Sequence, residues 1–326
     1  MQLENSKHTQ LPSGVAQLDH LGVIRVTGAD AASFLQGQLT NDVALLGMNE
    51  SRLAAFCSAK GRMQASFTIY KRPALDAAQT TPDIYMVCSR DILAPTMKRL
   101  SMFVMRAKAK LTDVSAEFNI FGLTGNAIIS IATQAINTTA TVNFGTSTAI
   151  ALQPALGQSR ALCVTPAGDA APMGEALSTE LWHWGEVHAG IATITAPIVE
   201  AFVPQMLNYE SVGGVNFKKG CYPGQEVVAR SQFRGTLKRR AYVVQINTDG
   251  VQPFVSQEVF HESDAEQPCG MVVQIAKNPA TDPSGGYSAI VSMQVSASTD
   301  GKLTLGSANG AKITLLPLPY PLLEDI

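Results

Sequence analysis

The stretch Asn216-Phe-Lys-Lys-Gly-Cys-Tyr-Pro-Gly-Gln-Glu-Val-Val-Ala-Arg-Ser-Gln-Phe-Arg-Gly-Thr-Leu-Lys-Arg-Arg240 differs in character from its surroundings. Seven of the chain's 24 Lys and Arg residues fall between Lys218 and Arg240, against one acid, Glu226. That is a local +6 in a protein of net charge −2, and the rest of the chain holds 17 cations against 25 acids. Such a run is either a solvated basic face or a recognition element. Cys221 lies inside it, between Gly220 and Gly224, where the backbone can turn and approach a ligand closely. Pro223 suits the first turn of a helix reaching about Ser231. On that helix Glu226 and Arg230 form an i,i+4 pair in the favourable order. A helix N-terminus and two lysines would favour the thiolate, which makes Cys221 a candidate functional thiol. The alternative, a small buried apolar residue, stays open.

On the C-terminal side, from Arg240, apolar alternating runs occur at 241–246, 271–275, 287–295, 303–305 and 313–316. Gly, Asp, Asn and Pro separate them, which predicts a meander of five or six strands closing as a small barrel over 240–326. On the N-terminal side, strands are expected at Gly22–Thr27, Leu53–Cys57, Met63–Tyr70 and Asp83–Cys88. Helices are expected after Asp30 as N-cap and over Ile92–Leu100, with Pro95 in the first turn. This order indicates an α+β fold with antiparallel sheets over residues 1–239, in two subdomains split near 115–120. Glu175–Ile191 reads as a helix ended by Gly190. Its Trp182 and Trp184 lie two positions apart and must face different directions. Either ring could fill a core or stack on a flat heteroaromatic ligand.

Composition narrows the class. The chain has 326 residues, 46% apolar and 15% charged, which excludes a disordered chain and supports more than one core. The N-terminus shows no secretory pattern, and no apolar run is long enough to span a bilayer. Five widely spaced cysteines without CxxC point to reduced thiols and a cytoplasmic protein with no membrane partner. Cys57, Cys88, Cys163 and Cys269 read as structural. His183 and His188 lack a nearby Cys or an HExxH context, so no metal site is expected.

Lys218-Lys-Gly-Cys-Tyr-Pro-Gly-Gln-Glu226, followed by Val-Ala-Arg230 and Phe-Arg-Gly235, closely resembles the signature of the YgfZ-type folate-binding, tRNA-modifying proteins. These belong to the aminomethyltransferase (glycine-cleavage T-protein) superfamily. Four further stretches carry the resemblance along nearly the whole chain: Gly28-Ala-Asp30 with Phe34-Leu-Gln-Gly-Gln-Leu-Thr-Asn-Asp42, Ala59-Lys-Gly-Arg-Met63, Phe202-Val-Pro-Gln205 with Asn208, and Leu316-Pro-Leu-Pro-Tyr320.

The resemblance implies folate-binding α+β domains in a T-protein-like ring, a C-terminal β-barrel, and tetrahydrofolate or a one-carbon-substituted folate in a central cavity. It implies support of iron–sulfur enzymes, such as the thiotransferases that modify tRNA, with the family's motif cysteine falling on Cys221. The family's two aromatic folate contacts fall on Trp182 and at about Leu21, where this chain departs from the pattern. Glu186, one turn after Trp182, is a candidate for the pterin edge. Asn41 is a candidate contact or a turn cap, and Lys218, Gln225 and Arg230 are candidate folate contacts, the two cations suiting the folate glutamate tail or a protein partner. The T-protein catalytic aspartate lies after the Asp83–Cys88 strand. Here Ile92–Met97 holds no carboxylate and Asp91 comes early, which argues against a one-carbon transferase. A third reading uses the basic 218–240 segment to dock RNA or protein, with direct tRNA contact.

Overall fold

The computed structural model describes residues 10–323, except 77, 130–139, 234–236, 249, 251, 283–284 and 300–301. In chain order the elements are β1 (Gly14–Gln17), β2 (Leu21–Thr27), α1 (Ala31–Gln36), β3 (Ser51–Cys57), β4 (Met63–Arg72), β5 (Asp83–Ser89), α2 (Arg90–Ser101) and β6 (Lys110–Asp113). Then come β7 (Phe118–Thr124), α3 (Asn126–Ile129), β8 (Thr141–Phe144), β9 (Ser147–Ala155), β10 (Gln158–Pro166), α4 (Thr179–His188) and α5 (Gln225–Phe233). The last strands are β11 (Arg239–Asn247), β12 (Glu258–His261), β13 (Gly270–Lys277), β14 (Tyr287–Gln294), β15 (Leu303–Leu305) and β16 (Ala311–Leu316).

Two five-stranded sheets form, in the orders β3-β4-β5-β2-β6 and β1-β7-β10-β9-β8, and β11-β14-β13-β12-β15-β16 close a barrel. The fold is α+β with antiparallel sheets and a C-terminal six-stranded barrel, as the sequence pattern indicates. Within the barrel the strand that the pattern misses is β12, four residues too short to show alternation, and before the barrel it also misses β1 and β6 to β10. The first strand also departs from chain order. β1 pairs with β7, Val15 opposite Leu123, and so belongs to the second sheet.

The two sheets face each other because their strands are apolar on both sides. β5 is buried at all seven positions. Ile84, Met86 and Cys88 enter one core with Leu35 and Phe67, while Tyr85 and Val87 enter another with Leu162 and Val164. A strand with two covered faces reads as a continuous apolar run. The two tryptophans of α4 follow the same division. Trp182 joins the core between the sheets and Trp184 the core shared with the barrel, both at most 1% exposed. Helix α4 is therefore the joint between the sheets and the barrel. Ser178 caps it by accepting from Leu181 N (3.2 Å), and Gly190 at φ +69° ends it.

Three local expectations need correction. Helix α2 starts at Arg90, so Pro95 lies inside it and removes an intrahelical donor there. Asp30 is the N-cap residue of α1, but its carboxylate makes no capping bond: it accepts from Lys108 N (2.7 Å) and ties down another segment. Pro223 precedes α5, which starts at Gln225. Gly224 intervenes at φ +80°, and a Cβ there would stand 2.4 Å from the Ser58 carbonyl oxygen. The backbone of the 220–224 turn thus rests directly on the β3–β4 hairpin tip. The Arg234–Gly235 part of the motif lies outside the described residues.

The contact of Gly122 with Trp182 gives a test of the core. A Cβ on Gly122 would meet the Trp182 ring at 2.4 Å. Gly122→Ala should cost about 2 kcal/mol through overpacking, seen as a lower urea midpoint with little change in slope. An unchanged midpoint would mean that the ring does not rest on this strand.

Candidate functional site

A cavity of about 310 Å³ opens where the two sheets, α4 and the loop after it meet. Leu21, Ser66, Thr68 and Val87 line it from the first sheet, Leu152, Arg160 and Leu162 from the second. Glu186 enters from α4, and Tyr209 and Gly213 from the loop that leads to the Cys221 motif. Apolar walls with a few convergent polar groups are the usual make-up of a small-molecule site.

Arg160 is the group that sequence reasoning missed. It is 4% exposed, and its guanidinium carbon lies 4.3 Å from the centroid of the Trp182 ring. Its Nε and Nη2 are buried without a hydrogen-bond partner among the described residues. Burial lowers its pKa to about 10, with the Glu186 charge opposing. A buried cation with unused donors is costly, and an acceptor in the cavity would relieve that cost. A signal was available: β10 is an apolar strand interrupted by one charge, and arginine is rarely fully buried without a partner.

Glu186 supplies the opposite charge. Its Oε2 is hydrogen-bonded to His183 Nδ1 at 2.8 Å. Burial pushes its pKa up, but that hydrogen bond and the charges of His183, Arg160 and His20 outweigh it, leaving the carboxyl below its usual value. The cavity therefore offers an anionic acceptor and a cationic donor on different walls.

The other expected residues fall in three places. Leu21 lines the cavity beside the pair. Trp182 does not: it is 0% exposed, lies against Gly122 and carries Arg160 over its ring. Its place is that of a platform for the guanidinium. Asn41 does not line it either. Its Nδ2 donates to the carbonyls of Leu53 (2.7 Å) and Gly213 (2.6 Å), and its Oδ1 accepts from Asp42 N. Together with Thr40, whose hydroxyl donates to Gly214 O (2.6 Å), it ties the N-terminal motif to the cavity's loop wall.

Lys218, Cys221, Gln225 and Arg230 stay together on the 216–233 segment and do not line the cavity. Lys218 is exposed, and Arg230 is exposed and paired with Glu226 at 2.8 Å. Cys221 is exposed while Cys57, Cys88, Cys163 and Cys269 are buried. Burial pushes the Cys57, Cys88 and Cys163 thiols up to about 12. The basic run does not form one cationic face. Lys219 is buried, with Nζ donating to the carbonyls of Gln36 (2.6 Å) and Leu39 (2.8 Å) at the end of α1. Arg240 is buried and donates to Glu210 (2.6 Å). Lys219 thus satisfies helix-end carbonyls and favours the negative end of the α1 dipole.

Residues 2–160 match the family model of the GCVT N-terminal domain. The fold is that of the T-proteins. It is similar to the crystal structure of glycine cleavage system aminomethyltransferase T from Bartonella henselae, with a TM-score of 0.64 and 15% identity over 96% of this chain and 87% of that one. A more distant similarity is to the heterotetrameric sarcosine oxidase from Corynebacterium sp. U-96. There the TM-score is 0.30 at 10% identity, over 49% of this chain and 78% of that one.

Lys219 yields a pH test. Burial lowers its pKa to about 8, against the Asp42 and Cys221 charges that raise it. Between about pH 8 and the unfolded value of about 10.4 the unfolded chain binds more protons, so this lysine's contribution to stability rises with pH in that window. The stability difference between wild type and Lys219→Met should shift in favour of wild type from pH 8 to 10, followed by urea titration. A difference independent of pH would mean the amine is not desolvated.

Proposed function

We propose that the protein binds tetrahydrofolate, or a one-carbon-substituted folate, in the central cavity. We further propose that it acts as an accessory to iron–sulfur enzymes, including tRNA thiotransferases, with Cys221 as the working thiol. The observation that carries the folate reading is the pairing of Arg160 and Glu186 across a mainly apolar cavity. A pterin presents adjacent N–H donors on its pyrimidine edge, which suit a carboxylate. It presents a carbonyl oxygen beside them, which suits a guanidinium with unused donors. Glu186 can serve the pterin while keeping His183, because each carboxylate oxygen accepts more than one hydrogen bond. The motif resemblance around Cys221 supports the second half of the reading, as does its being the exposed one of five cysteines.

Asp91 bears on the transferase alternative. Its Oδ1 accepts from Ser89 Oγ (2.7 Å) and its Oδ2 from Ala196 N (2.8 Å), and it does not line the cavity. Both oxygens hold structure, which favours an accessory role over aminomethyl transfer. Burial of Lys219 and Arg240 likewise disfavours a phosphate-binding stripe along 218–240.

Calorimetric titration with tetrahydrofolate tests the cavity. Glu186→Gln and Arg160→Gln should each weaken binding about 10- to 100-fold, the loss of a charge-assisted hydrogen bond. Equal affinity in all three proteins would place the ligand elsewhere. For the thiol, a deletion strain carrying Cys221→Ala should lack thiolated tRNA that wild type restores. Full restoration by the variant would remove Cys221 from the function.

A further inference from the structure

Behind Glu186 the structure assembles a second constellation, which the folate reading does not use. His183 and Glu186 are i,i+3 on α4 and so share one face of the helix. His20 comes from the turn between β1 and β2. Its carbonyl accepts from Arg90 N at 2.8 Å, so the turn is anchored to the start of α2. The His20 and His183 rings lie 4.5 Å apart between centroids. One ligand-type atom from each of His20, His183 and Glu186 lies within 4.8 Å of the others. The cluster also stands between two spaces. Glu186 lines the central cavity, and His183 lines a separate cleft of about 360 Å³ between α4 and the barrel, beside Lys277 and Tyr287.

We propose that His20, His183 and Glu186 form a binding site for one divalent transition-metal ion of the Zn²⁺ class, located where the walls of the two cavities meet. Two imidazoles and a carboxylate are the donor set such ions take, with further positions left for water or a bound ligand. Neighbouring ligands at roughly 2.1 Å from a tetrahedral metal stand roughly 3.4 Å apart, so the hydrogen-bonded His183 Nδ1 and Glu186 Oε2, now 2.8 Å apart, open by only roughly 0.6 Å to take the ion. The sequence around His183 and Glu186 gives no metal signature, because the remaining ligand, His20, lies far upstream and meets α4 only in the fold.

The site is tested on the full-length protein free of folate, after chelator treatment, so the outcome does not depend on the folate reading. Zn²⁺ titration followed by elemental analysis should give one tightly held ion per chain. Co²⁺ substitution should give the visible d–d absorption of a nitrogen–oxygen site, without the thiolate charge-transfer band that Cys221 would produce. Zn²⁺ should raise the Tm of wild type and of a His261→Gln control. His20→Gln and His183→Gln should each weaken binding by more than the roughly 10- to 100-fold that loss of an outer-shell partner costs, and their Tm should no longer respond to Zn²⁺. The His20→Gln variant, changed only at the turn, keeps the test sound if the α4 variant folds poorly. Absence of stoichiometric metal in wild type overturns the proposal, as does equal affinity in the variants or a thiolate spectrum. The cluster would then be a hydrogen-bonded His183–Glu186 pair beside a packed histidine.

Discussion

The buried guanidinium of Arg160, laid on the ring of Trp182, sets the terms for the cavity around it. An arginine buried with two donor atoms unused is expensive, and the fold must compensate locally. Two devices do so. The face of an aromatic ring attracts the cation, and here that ring is itself held against Gly122, where a side chain would collide with it. The carboxylate of Glu186 supplies opposite charge, and it is kept ionised by His183 and by Arg160 in return. What remains is a guanidinium with two unused donors beside an ionised carboxylate, which suits a ligand with both donors and acceptors.

The rest of the architecture holds that pair in place. The two sheets supply the apolar walls because β5 and its neighbours are covered on both faces. Helix α4 carries Trp182 towards one core and Trp184 towards the other, so the position of Glu186 is fixed by two independent packings. The loop wall is fastened by Thr40 and Asn41, which bond to the carbonyls of Gly214 and Gly213. Lys219 then bonds the end of α1 from the other side of the same loop. The N-terminal motif and the Cys221 motif are thus two halves of one clamp. Their distance in sequence conceals that they are neighbours in space.

This explains what could be read from the chain. Strand alternation and the Gly, Asn and Pro punctuation after Arg240 made the barrel legible, and the two-residue spacing of Trp182 and Trp184 made their division between cores legible. Glu186 was legible as the residue one turn beyond Trp182. Arg160 was not, because its meaning arises only when β10 folds over α4. Lys219 and Arg240 look like surface charge in a basic run, but a lysine stem is long enough to reach the carbonyls ending α1, and Arg240 meets Glu210. Asn41 read equally well as ligand or cap, and the structure uses both of its amide donors within the fold. The His20–His183–Glu186 cluster was hidden for the same reason as Arg160, since one member arrives from a distant turn.

The central claim is that the Arg160–Glu186 cavity is where a pterin binds. A crystal structure of the protein soaked with tetrahydrofolate tests it most directly. The account predicts the pterin between the two sheets, with its N–H edge on Glu186 and its carbonyl oxygen on Arg160. A pterin seated in the cleft between α4 and the barrel, or on the Cys221 segment, with this cavity left to solvent, would contradict it.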